Sequence, residues 1–162
     1  GYYSKPPGIA WQIFLTTALF GDTEFGIRAS ALLIGTLTCV AVYLLARRVY
    51  GEKVAFWSAL TYSITPIGLM GSLFAITDGG MILSWLMALN FFLGSNYVAF
   101  GLAIAVGALF KWPIFILPLA LFFITKERGK FLKGAAFGLL GLLSALLWNI
   151  QHDFVTFRHV ST

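Results

Sequence analysis

Charged residues are scarce in this 162-residue chain, and that scarcity excludes an ordinary soluble domain. Only 10% of the residues are Asp, Glu, Lys or Arg, whereas 59% are hydrophobic and the mean hydropathy is +0.89. Soluble globular domains carry about 25% charged residues. The composition therefore predicts an integral membrane protein whose permanent partner is the lipid bilayer.

Cysteine and the common site motifs are also nearly absent. The single cysteine, Cys39, lies within an apolar run and supports neither a disulfide framework nor a metal cluster. The sequence contains no His-x-x-Glu-His motif and no Gly-rich phosphate loop before a helix. We therefore predict no metal site and no cofactor here. Because the chain begins at Gly1 without a basic leader segment, we expect it to be an internal portion of a longer polypeptide.

The basic residues that are present give a net charge of +5, but they do not form one soluble face. They stand at the ends of apolar runs, where orientation in a membrane explains them better than nucleic-acid binding. We therefore expect no nucleic-acid partner. No internal repeat is found in the sequence.

Uncharged runs predict an all-α, polytopic membrane helical bundle of about six spans plus one interfacial helix. Residues 8–20 are apolar but too short to cross a bilayer core, which needs about 20 helical residues. A break follows at 21–24, where Asp22 or Thr23 could cap the next helix. The predicted spans are residues 29–46, 54–77 with a bend at Pro66, 79–94, 97–110, 113–125 and 134–148.

Lysine and arginine predict which ends of these spans face the cytoplasm. They cluster at 47–53 and 126–133, and placing both clusters on the cytoplasmic side requires an even number of crossings between them. Four crossings fit and place Asp78 and Lys111 together at the outer face. The alternative is one long span over 97–125, which buries Lys111 at considerable cost unless it finds a partner, and which breaks the parity.

Several polar residues should therefore converge on the outer face: Lys5, Asp78, Lys111, His152, Asp153, Arg158 and His159. Ionisable side chains at membrane depth are costly and are functional-site candidates by default. Ammonium groups bind phosphate oxygens and stabilise the charge of a departing phosphate, and a carboxylate can act as a base toward an acceptor hydroxyl or amine. The set predicts a site for a lipid-linked phosphate, with Asp78 as the catalytic candidate.

The most rigid part of this set is the stretch at 2–7, where Lys5 precedes two prolines. Proline fixes the backbone and pushes the preceding residue toward an extended shape, so Lys5 should be held stiffly at the membrane surface. Tyr3 suits the interfacial zone, with its ring in lipid and its hydroxyl in water. A structural explanation remains open, in which Lys5 only anchors a helix end by snorkelling.

Structural explanations remain open for the other candidates as well. Asp78 could simply cap the helix that follows it. Lys111 could only mark a loop, and His152-Asp153 could be ordinary loop polarity. The candidates for substrate binding are therefore Tyr3, Lys5, Lys111, His152 and Asp153.

These stretches resemble one known family. Tyr2-Tyr3-Ser4-Lys5-Pro6-Pro7, followed by Ala10-Trp11, resembles the first outer loop of the dolichyl-phosphate-mannose–protein mannosyltransferase-like family, which includes the bacterial aminoarabinose transferases of lipid A. Further resemblances keep the family's order, at 20–28, 44–51, 77–78, 110–112 and 148–154. The last of these reads Trp148-Asn149-Ile150-Gln151-His152-Asp153-Phe154 and is similar to a Trp-Asn-x-Gln-His-Asp-Trp element.

The resemblance implies that residues 1–162 are part of one transmembrane glycosyltransferase domain of the C-type. It implies an enzyme of the inner membrane that moves a sugar from a polyprenyl-phosphate carrier to an unidentified acceptor at the extracytoplasmic face. By the resemblance, Lys5 would hold the carrier phosphate, Asp78 would be an acidic partner, and Lys111 and His152 would line or support the cavity. The family's acidic motif, with its catalytic Asp, precedes its Lys-Pro-Pro and would lie before Gly1.

Two other classes of function are open from the residues alone. A multi-span transporter could also use short helices broken by polar residues, as at 97–125, but it should place its charged site near the midplane and repeat its fold. A non-catalytic membrane scaffold would not need two lysines suited to phosphate, or Asp78. We therefore expect the enzyme.

Overall fold

The computed structural model describes residues 6–151, and every regular element in that range is helical, which confirms the all-α prediction there. Residues 6–151 form the α-helices α1 (Gly8–Phe20), α2 (Glu24–Tyr50), α3 (Glu52–Ile64), α4 (Pro66–Leu73), α5 (Thr77–Leu93), α6 (Tyr97–Ala108), α7 (Ile116–Ile124), α8 (Arg128–Ala136) and α9 (Leu143–Gln151). Two 3₁₀ segments, Trp112–Phe115 and Phe137–Leu142, precede α7 and α9.

The first helix breaks occur where the polar residues predict them. The Thr23 hydroxyl accepts a hydrogen bond from the Gly26 N–H at 3.0 Å and so caps α2, which makes Thr23 rather than Asp22 the capping residue. Gly51 separates α2 from α3 with a φ of +89°, a conformation that side-chain-bearing residues rarely adopt. A single residue therefore reverses the chain between two long helices.

Pro66 divides the second predicted span, as expected. Proline is tolerated at the first position of a helix but not in its interior, so α3 ends and α4 begins at this point. The Thr65 hydroxyl accepts from the Gly68 N–H at 3.2 Å and caps α4. A second bend of 114° follows between α4 and α5.

Helix length gives a smaller number of spans than charge spacing. In residues 6–151, the helices Glu24–Tyr50 and Arg128–Ile150 are long and apolar enough to cross a membrane, and the bent pair α4 and α5 adds a third if it counts as one span. The helices Gly8–Phe20, Tyr97–Ala108 and Trp112–Ile124 are apolar but shorter. Six spans would therefore require several helices shorter than the usual 20 residues.

The core lies between α5, α6 and the helices that follow them. Phe100, Ile104 and Ile114 are fully buried there. The Phe131 ring of α8 lies 5.2 Å from that of Phe100 and contacts the rings of Phe92 and Tyr97 at 5.8 and 5.7 Å. These contacts hold the start of α8 against the turn that joins α5 to α6.

The helices have two distinct ends. Arg48, in the last turn of α2, donates a hydrogen bond to the Asn90 carbonyl near the end of α5, and Phe131 packs near the same turn. Both basic clusters, 47–53 and 126–133, therefore lie at one end, as the prediction that they share one side of the membrane requires. Asp78 lies near the other end of α5, about 18 Å from Asn90 along the helix.

Candidate functional site

Asp78 and Lys111 form an ion pair between the start of α5 and the bend after α6. The Lys111 Nζ lies 2.7 Å from the Asp78 Oδ1 although 33 residues separate them in the chain. Each side chain keeps 42% of its exposure, so the pair faces an open space rather than the core. The structure therefore brings together two of the predicted site residues.

Asp78 does not cap α5, so the structural explanation for it is wrong. The helix already begins at Thr77, and its N-cap residue, Ile76, makes no side-chain capping bond. Asp78 lies in the first turn, where a carboxylate is stabilised by the positive end of the helix dipole. The helix end and Lys111 thus both present positive charge to this side chain.

Lys111 lies at a sharp change in backbone direction rather than in an open loop. Its N–H donates to the Gly107 carbonyl at 2.9 Å, which closes the last turn after α6. Pro113 then starts the 3₁₀ segment Trp112–Phe115. This bend turns the Lys111 side chain toward Asp78, so the prediction that Lys111 breaks the long run at the end that carries Asp78 agrees with the structure.

A backbone hydrogen bond ties the start of α1 to the same place. The Gly8 N–H donates to the Leu109 carbonyl at 2.7 Å. A Cβ at Gly8 would collide with that carbonyl, so the close approach requires glycine. At Gly80, the ring of Phe110 occupies the space that a Cβ would fill. The chain that leads from Pro6 and Pro7 into α1 is therefore fixed beside the ion pair.

Two helices extend past the ion pair and form one wall of this space. Gly79 lies against Ile34, in the middle of α2, so α2 continues about 15 Å beyond that level to Glu24. α1 runs beside this extension, and the Gln12 side-chain amide donates to the Ser30 hydroxyl at 3.1 Å. The pair thus lies about 15 Å short of the N-terminal end of α2 and not level with it.

The last helices direct the chain toward the same end. Gly134 packs against the Tyr97 backbone, and Gly141 packs against Ala105 and Ala108, so the segment from α8 onward runs parallel to α6. α9 then carries the chain about 14 Å further. Its last residue, Gln151, immediately precedes two predicted site residues.

Four of the predicted site residues lie outside the described range of 6–151: Lys5, Tyr3, His152 and Asp153. The same holds for the weaker candidates Arg158 and His159. Their predicted roles in substrate binding remain predictions. Within residues 6–151, no three His, Cys, Asp or Glu side chains lie close enough together to hold a metal ion.

Sequence reasoning missed the residues that let the backbones approach one another. Gly8 and Gly80 carry no chemistry, yet they allow α1, α5 and Phe110 to meet beside the ion pair. The paired glycines after Thr77-Asp78 were a visible signal for close packing at a helix start. The partner that requires the small side chain cannot be read from one sequence.

Chemically, the site offers one carboxylate and one ammonium group at the mouth of an otherwise apolar bundle. An ammonium group attracts phosphate oxygens, and a carboxylate can accept a proton or orient a hydroxyl. The two charges neutralise each other in this ion pair, and an anionic ligand would compete with Asp78 for Lys111. The arrangement therefore suits a phosphate group that carries an apolar chain.

Known proteins share this sequence pattern. The profile of the family described as dolichyl-phosphate-mannose-protein mannosyltransferase matches residues 4–152. A lipid A galacturonosyltransferase of Rhizobium johnstonii is 30% identical over 174 residues, covering 98% of this chain and 37% of the relative. An undecaprenyl phosphate-alpha-4-amino-4-deoxy-L-arabinose arabinosyl transferase of Pseudomonas fluorescens is 30% identical over 177 residues, covering 92% of this chain and 30% of the relative.

A similar arabinosyl transferase of Pseudomonas aeruginosa is 29% identical over 163 residues, which cover 90% of this chain and 29% of the relative. The chain thus spans about a third of the length of the curated relatives it matches. No solved structure matches it significantly. The family match over nearly the whole chain confirms the resemblance, and the chain belongs to the dolichyl-phosphate-mannose-protein mannosyltransferase family.

Proposed function

We propose that this chain is the part of a polyprenyl-phosphate-sugar-dependent glycosyltransferase that binds the carrier phosphate. The observation that carries the proposal is the ion pair between Asp78 and Lys111, whose Oδ1 and Nζ atoms lie 2.7 Å apart. It lies at the end of the bundle where the Gly8 N–H donates a hydrogen bond to the Leu109 carbonyl. The names of the relatives add support, because they describe transferases of galacturonosyl and aminoarabinosyl groups.

Lys5 is proposed as the principal phosphate ligand. Lys5 precedes Gly8 by three residues in the sequence. The Gly8 N–H in turn donates a hydrogen bond to the carbonyl of Leu109, two residues before Lys111. We propose that the ammonium groups of Lys5 and Lys111 serve one phosphate and that Tyr3 contributes at the lipid boundary.

Asp78 is proposed to hold Lys111 in position and to provide the carboxylate of the cavity. In the transfer step, the acceptor oxygen bonds to the anomeric carbon while the bond from that carbon to the carrier phosphate breaks. The acceptor proton passes to a carboxylate, and the phosphate leaves with its electron pair. Lysine ammonium groups stabilise the charge that develops on the phosphate. His152 and Asp153, which follow α9, are proposed to line the same cavity.

The proposed topology has six crossings with the site on the extracytoplasmic face of the inner membrane. Both basic clusters lie at the opposite end of the bundle, as the positive-inside rule requires of the cytoplasmic side. Trp112→Cys tests this in a Cys39→Ser background, because Trp112 is exposed beside the ion pair. An impermeant thiol reagent added outside the cell should label it and leave the control Lys53→Cys unlabelled. Labelling of position 53 alone would refute the topology.

A transfer assay on the full-length protein tests the function. With an undecaprenyl-phosphate-linked sugar as donor and lipid A as acceptor, Lys5→Ala should lower the rate by about 100-fold, the effect of removing one well-placed charge stabiliser. The matched control is Lys53→Ala, which removes the same charge at the opposite end and should retain activity. Full activity of the Lys5→Ala variant would remove Lys5 from the site.

The transporter remains a second candidate because of one observation. The bend of 114° between α4 and α5 resembles the broken helices that form transporter binding sites. Proteoliposomes that contain the full-length protein discriminate between the two. The enzyme releases polyprenyl phosphate in proportion to the sugar transferred, whereas a transporter moves its solute without cleaving the donor.

A further inference from the structure

A second polar feature lies at the opposite end of the bundle, about 20 Å from the ion pair along α2. A cleft of about 470 Å³ opens there between the last turns of α2 and α5. We call it the arginine cleft, and the residues that line it are Leu44, Arg47, Arg48, Met87, Asn90 and Phe91. The proposed glycosyl transfer uses none of them.

The spacing of these residues explains why the cleft exists. Leu44, Arg47 and Arg48 stand at positions i, i+3 and i+4 of α2, and therefore share one face of that helix. The three residues from α5 have the same spacing and face them. Two helix faces of matching register thus enclose a space with apolar walls and a basic rim.

Hydrogen bonds hold the cleft open in a fixed shape. The Asn90 side-chain amide donates to the Ala41 carbonyl of α2 at 3.2 Å and to the Leu86 carbonyl of its own helix at 3.0 Å. The Asn90 backbone carbonyl accepts from the Arg48 guanidinium. This junction ties α2 to α5 at the floor of the cleft, so a ligand would meet a preformed site.

The arginines of the cleft lack an acidic partner. The ion pairs within residues 6–151 are Arg28–Glu24, Lys111–Asp78 and Lys130–Glu127, and none involves Arg47 or Arg48. Arg48 uses one N–H on the Asn90 carbonyl, and the Arg47 side chain makes no hydrogen bond or ion pair within residues 6–151. A guanidinium presents five donors in a planar fork that matches phosphate oxygens. The rim therefore carries two positive charges that an anion can neutralise.

We propose that the arginine cleft binds an anionic phospholipid, whose phosphodiester contacts Arg47 and Arg48 while one acyl chain lies along Leu44, Met87 and Phe91. The position agrees with a lipid ligand, because the uncharged run 29–46 ends where the arginines begin. A free phosphate ion would leave the apolar walls uncovered. Basic pockets between membrane helices are known to bind anionic lipid head groups.

Native mass spectrometry of the full-length protein tests the proposal with phosphatidylglycerol as the probe and phosphatidylcholine as the neutral lipid. Wild type should retain phosphatidylglycerol preferentially. Arg47→Gln should weaken that binding about five-fold, the effect of one basic residue near a lipid surface. Arg47 is the sharper probe because its side chain, unlike that of Arg48, makes no hydrogen bond within the part of the chain that the structure describes. The matched control, Lys126→Gln, removes an exposed charge from the other basic cluster and should change binding less than two-fold.

Met87→Trp adds a steric test, since it fills the cleft without changing its charge and should also reduce retention of phosphatidylglycerol. Three results would overturn the proposal. One is equal loss in Arg47→Gln and Lys126→Gln, which would indicate only a general surface charge. Another is wild-type binding in both cleft variants. The third is full competition by millimolar glycerol phosphate, which would make the ligand a soluble anion. Glycosyl transfer by Arg47→Gln, assayed separately, reports on the proposed enzyme independently of this site.

Discussion

Replacing Asp78 by Asn and Lys111 by Met, singly and together, measures how far the ion pair stabilises the bundle. Both replacements keep the approximate shape of the side chain and remove its charge. The Nζ–Oδ1 distance is 2.7 Å, which is a full charge-assisted hydrogen bond, but each side chain retains 42% of its exposure. The expected energy is therefore intermediate between those of exposed and buried pairs.

Exposed pairs contribute about 0.2–1 kcal/mol, whereas removing one partner of a buried pair costs about 3–5 kcal/mol. After allowance for solvent screening, we expect each single variant to lose about 1–2 kcal/mol of unfolding free energy. The single variant leaves one unpaired, half-buried charge, and the double variant leaves none. The double variant should therefore be more stable than the sum of the single effects predicts, by about 1 kcal/mol.

Reversible unfolding of the full-length protein in mixed lipid–detergent micelles supplies the four free energies of this cycle. Additivity of the two single effects within about 0.3 kcal/mol would refute the coupling. A variant that exchanges the two charges, with Asp78→Lys and Lys111→Asp in one chain, distinguishes a role of the ion pair in stability from a role of Asp78 in glycosyl transfer. It should recover stability because the attraction is restored, but it should not recover transfer if a carboxylate is needed at position 78.

Two further predictions concern local packing and capping. Gly80→Ala should cost about 1–3 kcal/mol of unfolding free energy, because its Cβ would enter the space of the buried Phe110 ring. The control is Gly71→Ala, whose Cβ would meet no atom within 4 Å and which should be neutral or slightly stabilising. Equal effects of the two variants in thermal unfolding would contradict this assignment. Thr23→Ala should cost about 1 kcal/mol of unfolding free energy, because it removes the hydroxyl that accepts the capping hydrogen bond from the Gly26 N–H. Thr23→Ser keeps that hydroxyl and should retain most of the stability. A loss in the Ser variant as large as in the Ala variant would exclude capping as the cause.

Most helix boundaries could be predicted from the sequence because local chemistry determines them. The breaks at Gly51 and Pro66 and the turn at 94–96 depend on residues that bend or cap a helix wherever they occur. Thr23 and Asn96 both accept capping bonds from the residue three positions later. Such signals extend over only a few residues, which is why one sequence suffices to find them.

The arrangement of the candidate site was only partly predictable. Charge parity predicts that Asp78 and Lys111 lie at one end, but capping also explains Asp78, and only the structure of the start of α5, whose N-cap residue Ile76 makes no side-chain capping bond, excludes that alternative. The depth of the pair, level with Ile34 rather than with the start of α2, follows from the packing of Gly79 and has no local signal. In the sequence, Arg47 and Arg48 indicate only topology, since the cleft residues that face them lie about forty positions later.

Photo-crosslinking of the full-length protein tests the central claim most directly. The probe is an undecaprenyl-phosphate-linked sugar with a photoreactive group on the sugar, and the labelled peptides are identified by mass spectrometry. The account predicts adducts in the peptides that contain Lys5, Asp78 or Lys111, and their loss when unmodified donor is added in excess. Adducts confined to the opposite end, around the 94–96 turn, would contradict the proposed carrier-phosphate site.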